Sequence, residues 1–159
     1  GVYGQTLKWP NDVLIDDRKV SGILVEVAGE SEGPASAVIG VGVNVRMPAA
    51  DAANINQPWT DLYRSGATGV SRNQLAGILV QHLIRACRLF ACEGLAPFLT
   101  RWEQFDRLTG EHVRVIRGDQ TIEGVYRGVT PSGAMLLENA SGCTEHHAGE
   151  VSLRRVLVP

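Results

Sequence analysis

The chain has 159 residues, 44% of them hydrophobic and 20% charged, which suffices for one ordinary domain or two small ones and excludes a disordered or low-complexity polypeptide. Fifteen Lys and Arg against 17 Asp and Glu leave a net charge of −2, so bulk attraction to a nucleic acid is disfavoured and only a local basic patch could reverse that. Three cysteines, Cys87, Cys92 and Cys143, without a CxxC spacing support neither a disulfide framework nor a thiolate zinc site, which fits a reducing cytoplasm.

The longest apolar runs, such as 22–28 and 37–45, are interrupted by Gly, Glu or Asn and fall far below the ~18 residues of a membrane helix, so no membrane partner is expected. The start, Gly1-Val2-Tyr3-Gly4-Gln5, has no basic region, no hydrophobic signal core and no Met, and reads as the interior of something longer.

In chain order, Val13-Leu14-Ile15 and Val20 to Val27 are β-prone runs separated by the polar turn Asp16-Asp17-Arg18-Lys19, a hairpin signal. Pro10 pushes Trp9 into an extended conformation, and Asn11-Asp12 can cap a turn. Ala37 to Val45 is β-branched and nearly continuous, the pattern of a strand buried on both faces, with Gly40 and Gly42 leaving one face open to close approach. Residues 46–70 show no period and read as connecting loop with at most a turn of helix.

Ser71 to Glu93 predicts the longest helix. Ser71 and Gln74 make a capping box, Leu75, Leu79, Leu83, Ala86 and Phe90 form one stripe, and Gly94 is the stop. Pro97 suits the first turn of a second helix with Phe98, Leu99, Trp102 and Phe105 on one side. From Gly110 onward, short alternating segments at His112–Ile116, Thr121–Arg127, Ala134–Glu138 and Glu150–Val158, punctuated by Gly, Pro and Ser, predict a small antiparallel barrel. The reading is an α+β chain in two parts, 1–108 and 109–159.

Lys8-Trp9-Pro10-Asn11-Asp12 gathers a cation, an aromatic and two oxygen-bearing side chains. Lys8 could reach phosphate oxygens, and Asp12, with Asn11 more weakly, could hold Mg²⁺; a solvated β-turn is the alternative that residue chemistry alone leaves open. Lys19, at the start of an apolar strand near Gly22, could neutralise a carboxylate or phosphate in a pocket, or stand as a gatekeeper charge on a hairpin. Gly40-Val41-Gly42-Val43-Asn44 lacks the third glycine of a dinucleotide fingerprint; it suits a strand against which a flat ligand packs, with Asn44 meeting the polar edge of a base, or simply close packing. Cys87 and Cys92 read as small hydrophobes, and His146-His147 are a poor basis for a shared metal site.

Taken together, Lys8-Trp9-Pro10-Asn11-Asp12, then Asp17-Arg18-Lys19-Val20-Ser21-Gly22-Ile23-Leu24-Val25-Glu26, then Val38 to Asn44, resemble the catalytic domain of biotin protein ligases in order, spacing and identity. The resemblance runs on through Gly94 to Glu103 and Gly149 to Arg154, covering nearly the whole chain. It implies a partial class II synthetase-like mixed sheet with helices, over 1–108, followed by an SH3-like β-barrel over 109–159. It implies a two-step reaction in which ATP and biotin form biotinyl-5′-AMP, and the biotinyl group passes to a Lys of a biotin carboxyl carrier protein, an acetyl-CoA carboxylase subunit. Lys19 would hold the biotin carboxylate and then the acyl-phosphate oxygens. Lys8, Asn11 and Asp12 would form the phosphate and Mg²⁺ group, and Asn44 the adenine contact. Gly22, Leu24, Gly40 and Gly42 would shape the pocket, and Arg101 and Trp102 would brace the fold.

The family's glycine- and arginine-rich loop, and the winged helix of its bifunctional members, are not in this stretch. The expectation is therefore a carboxy-terminal portion that adenylates biotin very poorly alone, binds no nucleic acid, and can form a homodimer through an edge strand. A biotinyl-AMP-responsive repressor fragment and a lipoate ligase-like protein are the two other readings.

Overall fold

A computed structural model describes residues 3–29, 35–48, 55–149 and 152–156. Among them the elements run β1 (Gln5–Lys8), β2 (Asp12–Ile15), β3 (Arg18–Gly29), β4 (Ala35–Val43), α1 (Arg72–Glu93), α2 (Ala96–Phe105), β5 (His112–Arg117), β6 (Gln120–Val129), β7 (Met135–Asn139), β8 (Gly142–His146) and β9 (Ser152–Arg155). The strands make two sheets, ordered β1-β2-β3-β4 and β8-β7-β6-β5-β9, so the chain is α+β as its patterning predicts. The ladders of β2, β3 and β4 are antiparallel, and parallel pairing occurs as isolated bridges such as Lys19 with Trp59. The chain divides into two compact units, one within 1–6 and 11–76 and the other within 7–10 and 77–159.

In the first unit, β2 and β3 form a hairpin whose turn residues Asp16 and Asp17 both have positive φ, 49° and 60°. Aspartate tolerates that region, and hairpin twist demands it. Leu14 and Ile15 of β2 and Val20 of β3 are buried. β4 corrects an expectation: it is not buried on both faces. It is the edge of its sheet, Val38 is 67% exposed, and across the ladder Leu24, Val25 and Val27 are exposed as well, because among the described residues nothing covers the far half of this ribbon.

Helix α1 starts as predicted, with the Gln74 N–H donating to Ser71 Oγ at 3.4 Å, and ends where the Gly94 N–H donates to the Phe90 carbonyl with Gly94 at φ 68°. Leu75, Leu79, Leu83 and Ala86 are its least exposed positions, whereas Phe90 is exposed, and so are Cys87 and Cys92, which therefore do not act as buried hydrophobes. By length and composition alone, with mean hydropathy 1.4, this helix is apolar enough to cross a membrane. Gln81 and His82 interrupt its apolar runs, so unbroken hydrophobic stretches do not reveal it. No residue of this helix is buried among the described residues.

The second unit holds the best-packed core. Val113 and Val115 on β5, Tyr126 on β6, Met135 and Leu137 on β7 and Leu153 on β9 alternate inward, and Trp9 and Leu108 join them. Trp102 of α2 packs against this cluster and donates from Nε1 to Asp106 Oδ2 at 3.1 Å, while Phe105, expected on the same side, is exposed. Gly124 is required by close approach: a Cβ there would lie 2.5 Å from the Glu138 carbonyl oxygen of the neighbouring strand. The barrel-like sheet holds one strand that the pattern does not predict, β8. Its four leading residues are exposed and give no hydrophobic alternation. Of the predicted last segment, 150–158, residues 152–155 form β9, while 150–151 and 157–158 lie outside the described residues.

Candidate active site

The first unit contains an open cleft of about 450 Å³, and six of the residues singled out from the sequence line it: Asn11, Lys19, Gly22, Leu24, Gly40 and Gly42. The β3–β4 register sets Gly22 directly opposite Gly42 and Leu24 opposite Gly40, so residues of the same parity line one wall.

Lys19 reaches this wall through an irregularity. The β2–β3 ladder pairs Val13 with Ser21 but Leu14 with Lys19, leaving Val20 as an extra residue. Such a bulge re-aims the side chains beyond it. The Lys19 ammonium consequently lies over Gly22 and pairs with Asp12 Oδ1 at 2.5 Å, the two side chains being 30% and 11% exposed. A Cβ on Gly22 would meet Lys19 Cε and Nζ at 3.1 Å, so the glycine leaves the space that the ion pair occupies.

Gly40 and Gly42 differ from Gly22. A Cβ at either would find its nearest neighbour at 3.7 Å or 3.9 Å, ordinary contact distances. The chain's own packing does not require glycine there, and both positions face the cleft.

Asn11 is tied to β3 from both its backbone and its side chain: its carbonyl accepts from the Ile23 N–H at 3.0 Å, and its Nδ2 donates to the Ile23 carbonyl at 2.7 Å. Its amide oxygen is the side-chain atom not used in these bonds. Asn44 follows β4, its N–H donating to the Val20 carbonyl at 2.8 Å and its Nδ2 to the Thr60 carbonyl at 3.0 Å. Half of the amide expected to meet a base is thus spent within the chain, and Oδ1 is the atom that can accept from a ligand. Lys8, the last residue of β1, is half-buried and belongs to the 7–10 stretch of the second unit. Trp9 is 3% exposed in that unit's core, its Nε1 donating to the Gly133 carbonyl at 3.1 Å.

Sequence reasoning missed the segment that supports Lys19 and Asn44. Residues 58–63 run alongside both: the Lys19 N–H donates to the Pro58 carbonyl, the Thr60 N–H to the Lys19 carbonyl, the Leu62 N–H to the Asn44 carbonyl and the Tyr63 N–H to the Val45 carbonyl, at 2.9 to 3.1 Å. Asp61 within it is 1% exposed. Burial pushes its carboxyl up, but the N–H groups of Arg64 and Met47 and the nearby guanidinium groups of Arg64 and Arg46 outweigh that and hold it below the ordinary aspartate range. The only signal for this segment was its aromatic and acidic residues, which no periodicity organised.

Residues 4–44 match the biotin/lipoate A/B protein ligase family, and residues 108–154 match the biotin protein ligase C terminal domain. The chain is 43% identical over 148 residues to the bifunctional ligase/repressor BirA of Escherichia coli, covering 93% of this chain and 46% of that protein. It is 31% identical to the biotin--[acetyl-CoA-carboxylase] ligase of Paracoccus denitrificans, covering 91% of this chain and 61% of that one. The biotin protein ligase of Aquifex aeolicus in complex with biotin and ATP superposes with a TM-score of 0.79 at 28% identity, over 96% of this chain and 62% of that one. The chain spans about half the length of the curated relatives it matches. The two family matches fall in chain order, and together with these relatives they support reading the chain as a portion of a BirA-like biotin protein ligase.

Proposed function

We propose that this chain is part of a biotin protein ligase that joins biotin to ATP as biotinyl-5′-AMP, with release of pyrophosphate, and passes the biotinyl group to a Lys of a biotin carboxyl carrier protein. The observation that carries the reading is the cleft in which Lys19, Asn11, Gly22, Leu24, Gly40 and Gly42 come together on one sheet face. In this reading residues 1–108 are the carboxy-terminal part of the catalytic domain and 109–159 the terminal barrel.

Adenylation brings a carboxylate against a triphosphate, so the site has to supply positive charge where negative charge converges. The Lys19 ammonium holds the biotin carboxylate first and the acyl-phosphate oxygens afterwards. Asp12 orients that ammonium through their ion pair. Asn44 Oδ1 accepts from the amino edge of adenine, since its Nδ2 is committed to Thr60. Gly40 and Gly42 let a flat ligand lie on the strand, and Leu24 supplies apolar contact. Lys8 serves the phosphates.

The donor set suits Mg²⁺: the Asp12 carboxylate and the neighbouring Asn11 amide oxygen are hard ligands, and that ion takes one or two such groups and fills its shell with phosphate and water oxygens. When bound, it offsets phosphate charge.

The carrier protein as acceptor, a homodimer through an edge strand and a cytoplasmic location complete the proposal. The match of 108–154 to the biotin protein ligase C terminal domain supports biotin over lipoate.

The test is biotin-dependent exchange of labelled pyrophosphate into ATP by the full-length enzyme that contains this chain. Lys19→Ala should lower exchange at least a hundredfold, and lipoate should not replace biotin. Exchange that depends on lipoate, or that survives Lys19→Ala unchanged, overturns the reading. Residues 1–159 expressed alone should exchange very slowly, because the site then lacks the family's covering loop.

A further inference from the structure

The buried carboxylate of Asp61 lies outside the cleft and outside every motif the proposed reaction uses. Its Oδ1 accepts from the Arg64 N–H at 2.7 Å and its Oδ2 from the Met47 N–H at 3.0 Å. The first bond closes the turn that follows the 58–63 segment, and the second fastens that segment to the turn leaving β4. Before Asp61 the segment holds both backbone groups of Lys19, and after it the carbonyls of Asn44 and Val45. Arg64 lies 3.6 Å from Asp61 Oδ2 and stacks over the Trp59 ring at 4.4 Å, so the charge on the clamp is met from the outside.

Two residues assigned to opposite ends of one ligand, Lys19 to the reacting carboxylate and Asn44 to the base, are therefore carried by a single strip of backbone. A strip of that kind holds their spacing only if both of its ends are held. Lys19 holds one end through the bonds to Pro58 and Thr60; at the other end Leu62 and Tyr63 bond the Asn44 and Val45 carbonyls, and Asp61 fixes the turn on which those carbonyls lie by binding Met47 and Arg64. An asparagine would not replace the aspartate. With one oxygen it can accept from one of the two N–H groups, and its own NH₂ would oppose the second.

We propose that Asp61 is a positioning residue for adenylation, setting the separation of Lys19 and Asn44 by clamping residues 58–63 to the turn after β4. The proposal rests on the ligase reading above. It assigns Asp61 no contact with substrate.

The test is steady-state kinetics of biotin-dependent pyrophosphate exchange by the full-length enzyme, wild type against Asp61→Asn, with active sites titrated. A fault that only lowers the folded fraction reduces kcat in proportion and leaves KM alone. Displacing Asn44 from the base should instead raise the KM for ATP about tenfold, and displacing Lys19 should lower kcat per active site by about tenfold or more. Arg64→Met keeps both backbone bonds and should stay within about twofold of wild type. If Asp61→Asn does not accumulate, Asp61→Glu keeps both acceptor oxygens on a longer stem and should move the same two constants in the same direction, less far. An unchanged KM for ATP in a variant that folds overturns the positioning role while leaving the ligase reading intact. A wild-type enzyme without biotin-dependent exchange overturns both.

Discussion

The barrel-like sheet and the cleft-bearing sheet are built from similar amounts of β-structure and use it in opposite ways. In the second unit Val113, Tyr126, Met135 and Leu137 are fully buried, and the glycine at 124 serves only to let two strands approach. In the first unit Leu24 and Val38, on the same face as Gly40 and Gly42, stay exposed, and a Cβ at either glycine would make only ordinary contact, at 3.7 Å and 3.9 Å. A face that has to admit a ligand cannot also be filled with side chains. The chain thus separates its stability from its candidate chemistry, and substitutions of the same kind should have different consequences in the two regions.

The strongest way to break that contrast is in the barrel-like core. Leu137→Ala should cost about 2–5 kcal/mol and lower the melting temperature of the second unit. Calorimetry in which it cost no more than an exposed leucine would mean that the core is not closed. Next comes Gly124→Ala, whose Cβ would sit 2.5 Å from a backbone oxygen; overpacking of that kind costs about 1–3 kcal/mol. Gly42→Ala sharpens the comparison from the other side. Its Cβ meets nothing closer than 3.9 Å, so thermal stability should stay within about 0.5 kcal/mol, while the KM for ATP or biotin in the full-length enzyme rises about tenfold. A stability loss like that of Gly124→Ala would show that both glycines serve packing.

The smallest expected effect is in pH dependence. Because the folded-state value of Asp61 is depressed below the usual 3.8, its stabilisation is present above that value and is lost as pH falls through the folded one. Denaturant unfolding of wild type should lose stability on that acid side, and Asp61→Asn should show a flatter profile there. Identical slopes below pH 4 would remove the carboxylate from the account.

Much of this architecture was legible before any coordinates. The capping box at Ser71 and Gln74, the stop at Gly94 and the alternation in 112–116 and 134–138 report local physics that tertiary context did not override. The grouping of Lys19, Gly22, Leu24, Gly40 and Gly42 came from the resemblance to biotin protein ligases, since spacing and residue chemistry alone left each with a plain structural alternative. The rest was not legible for identifiable reasons. The Lys19 side chain faces Gly22 only because Val20 is an extra residue in its ladder, and a bulge has no compositional signature among Arg18, Lys19 and Val20. The 58–63 segment contributes backbone groups, which every sequence has. The burial of β4 was overestimated because a β-branched run reads alike whether or not anything covers it. Trp9 stands within a polar motif, where nothing in the pattern marks it as the core residue it is.

The open space beside Gly40 and Gly42 has one more consequence. Volume added at either position is taken from the cleft and not from the protein, so side-chain size there is a dial on what the cleft admits that leaves the fold alone. Enlarging it in steps, Gly to Ala to Val, and trimming a ligand by matching amounts would let the two shapes be fitted to each other. The pairing that restores binding would report which part of the ligand lies over which glycine.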